Sequence, residues 1–134
     1  DAALSPFGEG AMAFLAGACE LAYVARLRDP SAMVAAAPDE CDAWRGLNVS
    51  ILQKLIIDKA LRPWLDGQPQ IDYTPDGREV LAEGRAGKAP LGICLQSTPV
   101  DAVEQVALAG ASMPHKSTYF YPKLATGLVW KPVG

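Results

Sequence analysis

The feature that most constrains the fold is a five-residue apolar run followed closely by residues that begin helices. The run, residues 91–95, carries no charge, and Thr98, Pro99, Val100 and Asp101 come shortly after it. A shorter version precedes it, since residues 71–73 lead directly into Thr-Pro-Asp at 74–76. Threonine and proline at these places are typical of helix starts. The pattern therefore predicts a strand-helix-strand (βαβ) crossover unit with two parallel strands and a right-handed connection.

Two stretches near the N-terminus predict a hairpin and a short helix. Apolar runs flank the loop around Gly17, and residues 21–27 alternate with the two-residue period of a strand. An antiparallel hairpin is therefore expected. Asp29 followed by Pro30 is typical of a helix start, and Pro38 ends the helix that begins there.

The longest helix is predicted from Val49 to about Arg62, with Asn48 as its cap. Its apolar residues recur at helical spacing and predict a stripe that faces the core, formed by Leu52, Leu55, Ile56 and Ala60. Charged residues four apart alternate in sign on the opposite side: Lys54, Asp58 and Arg62. Pro63 and Gly67 then end the helix.

These elements predict a single layered domain of the α+β or α/β class over residues 1–134. The expected sheet is mixed, with about four or five strands, and combines the hairpin, the crossover unit and a last short strand at residues 128–130. About three main helices are expected to pack on it. A chain of 134 residues can bury a core without a disulfide or a metal.

Composition narrows the classes of function. The hydrophobic fraction of 50% and the charged fraction of 20% are those of an ordinary globular protein. A formal net charge of -3 provides no basic field for a phosphate backbone, so nucleic-acid binding is not expected. No stretch has the length of a membrane span or the pattern of a signal peptide, and no membrane partner is expected.

The cysteines and the histidine point away from a metal or a disulfide framework. Cys19, Cys41 and Cys94 are odd in number and lack metal-site spacing, and His115 is the sole histidine. Free thiols in a reducing, cytoplasmic compartment are therefore expected, and no particular cofactor is indicated. Cys94 lies in the apolar run, where a slowly reacting thiol is predicted.

Residues 113–123, which we call the strap, concentrate the polar chemistry of the chain. Its donors could hold a phosphate or a carboxylate, and the helix after Thr98 adds free backbone N–H groups. The candidate anion-binding residues are Thr98, His115, Lys116, Ser117, Thr118 and Lys123. The candidate structural anchors are Tyr119, Phe120, Tyr121 and Pro122.

Two other interpretations of the strap stay open. Its rings and prolines alone would make a rigid segment that packs over the core or docks a partner protein. Ser117 and His115 lie two residues apart, which in an extended segment puts a nucleophile and a base on one face. No oxyanion motif accompanies them, and the glycines of a nucleotide-binding loop are absent before Lys116.

The strap also resembles a known family. The sequence Met-Pro-x-Lys-Ser-Thr-Tyr-Phe-Tyr-Pro-Lys-Leu at 113–124, with Gly-Leu-Val at 127–129 and Thr-Pro-Val at 98–100, resembles the C-terminal part of the bacterial and archaeal family called domain of unknown function 1015. The order of elements is similar from Phe14 to Lys131. Family members are normally longer, so the resemblance implies that this chain is the C-terminal fragment of a larger protein. The family's usual Thr-His-Asp is Thr-Pro-Asp at 74–76, and its Asn-Pro-Thr-Pro is Gln-Ser-Thr-Pro at 96–99, so no role of that histidine or asparagine carries over.

The expected function combines the strap with the resemblance. The chain is expected to be an anion-recognising or domain-closing module of a larger cytoplasmic protein, with the missing N-terminal portion as a partner and a small anion as ligand. The hypothesis for the whole protein is an enzyme that acts on a phosphorylated or carboxylated metabolite. The alternative is a structural or protein-interaction domain without catalytic activity. Donors converging on a concave surface would favour the first, and exposed rings on a flat apolar patch would favour the second.

Overall fold

The computed structural model describes residues 3–16 and 22–118, and within them three strands form one antiparallel sheet. The strands are β1 (Met12–Ala16), β2 (Ala22–Ala25) and β3 (Leu91–Leu95). The α-helices are α1 (Ser31–Ala36), α2 (Asp42–Arg45), α3 (Asn48–Ile51), α4 (Gly77–Arg85) and α5 (Val100–Leu108). A π-helix (Leu52–Leu61) continues α3, and short 3-10 turns lie at Ser5–Phe7 and Arg62–Trp64.

The predicted hairpin is confirmed. β1 and β2 pair antiparallel, with Met12 opposite Ala25 and Leu15 opposite Ala22. All four residues of β2 are exposed, because this strand lies at the edge of the sheet, whose order is β2-β1-β3. The short helix after Asp29 is also confirmed, and Asp29 Oδ1 accepts a hydrogen bond from Ser31 N at 2.9 Å.

The predicted crossover unit and the mixed sheet of four or five strands are wrong. β3 pairs antiparallel with β1, from Met12 opposite Leu95 to Ala16 opposite Leu91. Residues 71–73 form no strand and are exposed. Pro69 and Pro75 flank this short stretch, and proline cannot donate to a strand ladder. In the described part of the chain β3 is therefore an edge strand, and residues 128–130 lie outside that part.

The number of helices also differs from the prediction of about three. The described residues contain five α-helical segments, of which α2 and α3 have four residues each. A single turn is too short to show a helical period in the sequence. α4 and α5 begin directly after the Thr-Pro-Asp and Thr-Pro sequences that predicted their starts, because capping signals are local.

The longest helix spans the predicted residues, but most of it is a π-helix. In the ten residues from Leu52 to Leu61, hydrogen bonds join residues five apart, so such residues lie on one side. Gln53 Nε2 accordingly donates to Asp58 Oδ1 at 2.7 Å. This pair replaces the predicted row of charges four apart. Asn48 is the first helical residue rather than the cap, which is Leu47.

The core lies on one face of the sheet, between β1 and the helices. Its buried residues are Met12, Met33, Ala37, Trp44, Leu47, Ile51 and Val106. The predicted stripe is only partly right, since Leu52 and Leu55 pack at the edge of the core while Ala60 is exposed. α4 covers the opposite face, where Val80 lies against Gly92.

Candidate functional site

The described part of the strap contacts the loops that precede α4 and α5. Thr98 Oγ1 donates a hydrogen bond to Ser117 O at 3.0 Å. The ring of His115 meets the ring of Tyr73 edge-on, with centroids 6.5 Å apart and planes at 80°. The strap therefore connects the starts of two helices. Tyr73 was not among the predicted site residues. Its only indication in the sequence is its place directly before the Thr-Pro-Asp helix start.

A tight turn shapes the strap. Ser117 N donates to Pro114 O at 3.3 Å, which closes a turn over residues 114–117. Lys116 occupies the third position with φ of 57°, the one positive φ of a non-glycine residue in the described chain. The left-handed conformation costs a residue with a Cβ about 1–2 kcal/mol. Lys116 thus occupies a position in which glycine would have a lower conformational free energy.

Three neighbouring side chains of the turn have groups that a ligand could use. Lys116 and His115 are exposed. Ser117 is half-buried, and its Oγ is buried without a hydrogen-bond partner among the described residues. A buried hydroxyl of this kind costs about 1–3 kcal/mol when it stays unpaired. The turn therefore presents the charged Lys116 and the exposed Thr118 at the surface, and the Ser117 hydroxyl stays buried without a partner among the described residues.

Thr98 holds the turn instead of capping α5. Its hydroxyl proton goes to Ser117 O, whereas the cap of α5 is Pro99, which forms no side-chain cap bond. Ala102 N and Val103 N both donate to Pro99 O. The N–H groups of Val100 and Asp101 are left as the orphan donors of the helix start. The carboxylate of Asp101 stands in the same first turn and competes with an external anion.

The start of α4 is neutralised by its own side chains. Asp76 caps the helix by accepting a hydrogen bond from Arg78 N at 2.9 Å, and the Arg78 guanidinium contacts the same carboxylate at 3.2 Å. Hydrogen bonds from the Arg78 side chain and backbone hold the pKa of Asp76 below its ordinary value of 3.8. Thr74 Oγ1 accepts from Asp76 N at 3.1 Å and donates to the Glu79 carboxylate. This helix start is occupied, and an anion has no place there.

The predicted pairing of Ser117 with His115 is not formed among the described residues. Ser117 Oγ and His115 form no hydrogen bond, so no nucleophile and base are paired. No group of three or more His, Cys, Asp or Glu side chains within residues 3–16 and 22–118 is placed to hold a metal.

Several predicted residues lie outside the described part of the chain. These are Cys19, Tyr119, Phe120, Tyr121, Pro122 and Lys123. The two cysteines within it, Cys41 and Cys94, are free thiols, as predicted. Burial raises the pKa of the Cys94 thiol, which agrees with the predicted slow reaction.

Comparison with known proteins identifies no relative. No family model matches the chain, and neither a curated protein nor a solved structure matches it. The resemblance to domain of unknown function 1015 therefore stays a prediction based on the motif alone. In the described part of the chain, no helix is both long and apolar enough to cross a membrane.

Proposed function

We propose that the strap turn and the start of α5 form a recognition site for a small anion, a phosphate or a carboxylate. The observation that carries the proposal is the left-handed conformation of Lys116 in a turn that is bonded to the loop before α5. A non-glycine residue held in a costly conformation is a known mark of functional sites. In this turn an exposed lysine directly precedes Ser117, whose hydroxyl has no hydrogen-bond partner among the described residues.

The donors of the site come from two segments. The strap supplies the Lys116 ammonium and the exposed Thr118 hydroxyl, and α5 supplies the N–H groups of Val100 and Asp101. The Thr98–Ser117 hydrogen bond brings these segments together. Ammonium groups, hydroxyls and helix N-termini all stabilise oxyanions, and in an acidic protein such an arrangement has to be local.

Among the described residues the site has donors and no paired acid and base, which supports recognition of an anion or closure over it. The resemblance to the longer family supports a module that serves a larger cytoplasmic protein. Its catalytic groups would then come from the N-terminal portion. The substrate would be a phosphorylated or carboxylated metabolite.

A thermal-shift titration with inorganic phosphate, matched in ionic strength with chloride, tests the proposal. Phosphate is expected to raise the melting temperature with its concentration, because it binds only the native state. Lys116→Gly removes the ammonium and should abolish this rise. The ligand-free melting temperature should stay unchanged or rise slightly, because relief of the strained φ opposes the greater entropy of glycine in the unfolded chain. Lys88→Ala, at an exposed lysine just after α4, is the matched control and should keep the rise.

Two outcomes would contradict the anion site. One is a wild type whose melting temperature rises no more in phosphate than in chloride. The other is a Lys116→Gly protein that keeps the full rise, since binding would then need neither the ammonium nor the turn.

Exposed apolar side chains support a second candidate, a domain that binds the N-terminal portion of its own protein. Tyr73 is 56% exposed and Val100 is 73% exposed, and both lie in or beside the segments that contact the strap. Single exposed apolar residues are ordinary, but neighbouring ones suit an interface. Val100→Ser should weaken binding of the separately produced N-terminal portion in calorimetry, because it removes an exposed apolar side chain. Unchanged binding of that portion would contradict this candidate.

A further inference from the structure

A cleft lies between the start of β1, the end of β2 and helices α1 to α3. Its volume is about 390 Å³. The floor is apolar and includes Met33 and Ile51, which are 1% and 7% exposed, together with Leu27. Glu9 and Arg26 lie on the rim. An apolar floor with a few polar groups around it is the usual composition of a small-molecule site.

Two glycines make room for Arg26 at this rim. A Cβ on Gly8 would lie 3.0 Å from Arg26 Nη1, and a Cβ on Gly10 would lie 3.7 Å from Arg26 Cγ and 3.6 Å from Asn48 Oδ1. Both glycines have positive φ, 83° and 79°. The turn at residues 8–10 therefore lets the arginine pass close to the backbone next to Glu9.

The charges on the rim are not used within the described structure. Its three ion pairs involve neither Arg26 nor Glu9, although both residues line the same cleft. Arg45, also in the cleft, differs, because its guanidinium donates to Ala37 O at 3.1 Å and to Asp42 Oδ1 at 2.6 Å. Arg45 is therefore a structural group, and Arg26 is left as the cation available to a ligand.

We propose that this cleft binds a small α-amino acid with an apolar side chain, of about the size of leucine. The ligand carboxylate would pair with the Arg26 guanidinium, which suits carboxylates by its planar donor geometry. The ligand ammonium would pair with Glu9, and the aliphatic side chain would cover Leu27 and the 50% exposed Val34 above the buried floor. One molecule of this class satisfies both unpaired charges and the apolar floor together.

Calorimetric titration of the whole chain with L-leucine and three truncated probes tests each part of this ligand. The probes are 4-methylpentanoate without the ammonium, 3-methylbutylamine without the carboxylate, and glycine without the side chain. Leucine should bind with one site per chain. Each probe should bind at least about tenfold more weakly, since each loses one charged pair or the apolar contact.

Charge-removing variants connect the ligand to the two rim residues. Arg26→Gln and Glu9→Gln should each weaken leucine binding by about tenfold or more while the melting temperature without ligand stays unchanged. The matched controls Arg28→Gln and Glu104→Gln alter exposed charges that do not line the cleft and should bind like wild type. Arg26→Gln should no longer distinguish leucine from 3-methylbutylamine, because the carboxylate has lost its partner.

Clear outcomes would overturn the proposal. One is that leucine shows no saturable binding up to about 10 mM, a concentration that would reveal even a weak site. Binding of 4-methylpentanoate as tight as that of leucine would remove the role of Glu9. Equal losses from Arg28→Gln and Arg26→Gln would show that only the general charge of this face matters.

Discussion

The two helices α4 and α5 have nine residues each and both follow a Thr-Pro pair, yet their N-termini are used differently. In α4 the Asp76 carboxylate accepts from the helix backbone and Thr74 bonds to its own loop. In α5 Pro99 gives no side-chain cap, and Thr98 reaches a residue 19 positions away in the strap. The start of α4 is held by hydrogen bonds within its own loop and first turn. The loop before α5 instead forms a tertiary hydrogen bond with the strap.

The difference shows what a helix-start motif determines. Threonine and proline before a helix predict where the helix begins, because they suit the backbone there. They do not determine what the threonine hydroxyl bonds to. That choice depends on whether an acidic residue stands at the cap, as Asp76 does, or whether another segment offers a carbonyl, as Ser117 does. Substitutions in and around α4 and α5 can test this contrast at four places, from the largest expected effect to the smallest.

The largest effect is expected where α5 enters the core. Val106 is fully buried, and Val106→Ala should lower the free energy of unfolding by about 2–4 kcal/mol through lost burial and a cavity. Leu108, 74% exposed on the same helix, is the control, and Leu108→Ala should cost less than about 0.5 kcal/mol. Denaturant unfolding measures both. Equal losses of unfolding free energy in the two variants would mean that Val106 does not anchor α5 in the core.

The contact of α4 with the sheet is expected to be next in size. A Cβ on Gly92 would lie 2.6 Å from Val80 Cγ1, so Gly92→Ala should cost about 1–3 kcal/mol by pushing α4 from β3. Val80→Ala removes the clashing methyl groups. The double variant should therefore recover part of the stability lost in Gly92→Ala. No recovery in denaturant unfolding would contradict the packing of α4 on this face.

The cap of α4 should give a smaller effect that depends on pH. Asp76→Ala should lower the melting temperature by a few degrees at neutral pH, whereas Asp101→Ala should not, since Asp101 makes no cap bond in α5. The pKa of Asp76 is lowered in the folded state by the Arg78 side chain and backbone. Its stabilising contribution is therefore present above the ordinary value of 3.8 and is lost as the pH falls through the lowered pKa. The melting temperatures of wild type and Asp76→Ala should converge in acid, and a difference independent of pH would exclude the charged cap.

The smallest effect is expected at the start of α5. Asp101→Asn removes the carboxylate that competes with an external anion, so it should tighten phosphate binding by a few-fold. The corresponding change in α4, Glu79→Gln, should have no such effect because that helix start is already occupied. Calorimetric titration with phosphate compares the two. Tighter binding in both variants would point to net charge rather than to a site on α5.

Local signals predicted part of the fold. The hairpin follows from residues that alternate along one stretch, and α4 and α5 follow from nearby capping residues and glycines. The partner of β3 could not be read in the same way, because its apolar residues suit any strand and β1 lies about 80 residues earlier in the chain. The sequence also does not distinguish the π-helix from an α-helix, since the residues from Leu52 to Leu61 include neither proline nor glycine.

The candidate site was predictable in composition but not in contacts. The strap stood out because lysines, hydroxyls and rings concentrate there. Its bond to Thr98 and the contact between His115 and Tyr73 arise from tertiary packing, so no spacing in the sequence encodes them. The cleft at Arg26 is harder to predict, because its residues come from three separate stretches of the chain, 9–10, 26–34 and 42–51.

A proton–nitrogen correlation spectrum recorded during a phosphate titration tests the central claim most directly. The claim is that an anion binds between the strap turn and α5 and does not bind at α4. The backbone signals of Val100, Asp101, Lys116 and Ser117 should shift together with one saturation curve, while those of Gly77 and Arg78 stay in place. Equal shifts at both helix starts, or none at Lys116 and Ser117, would contradict the claim.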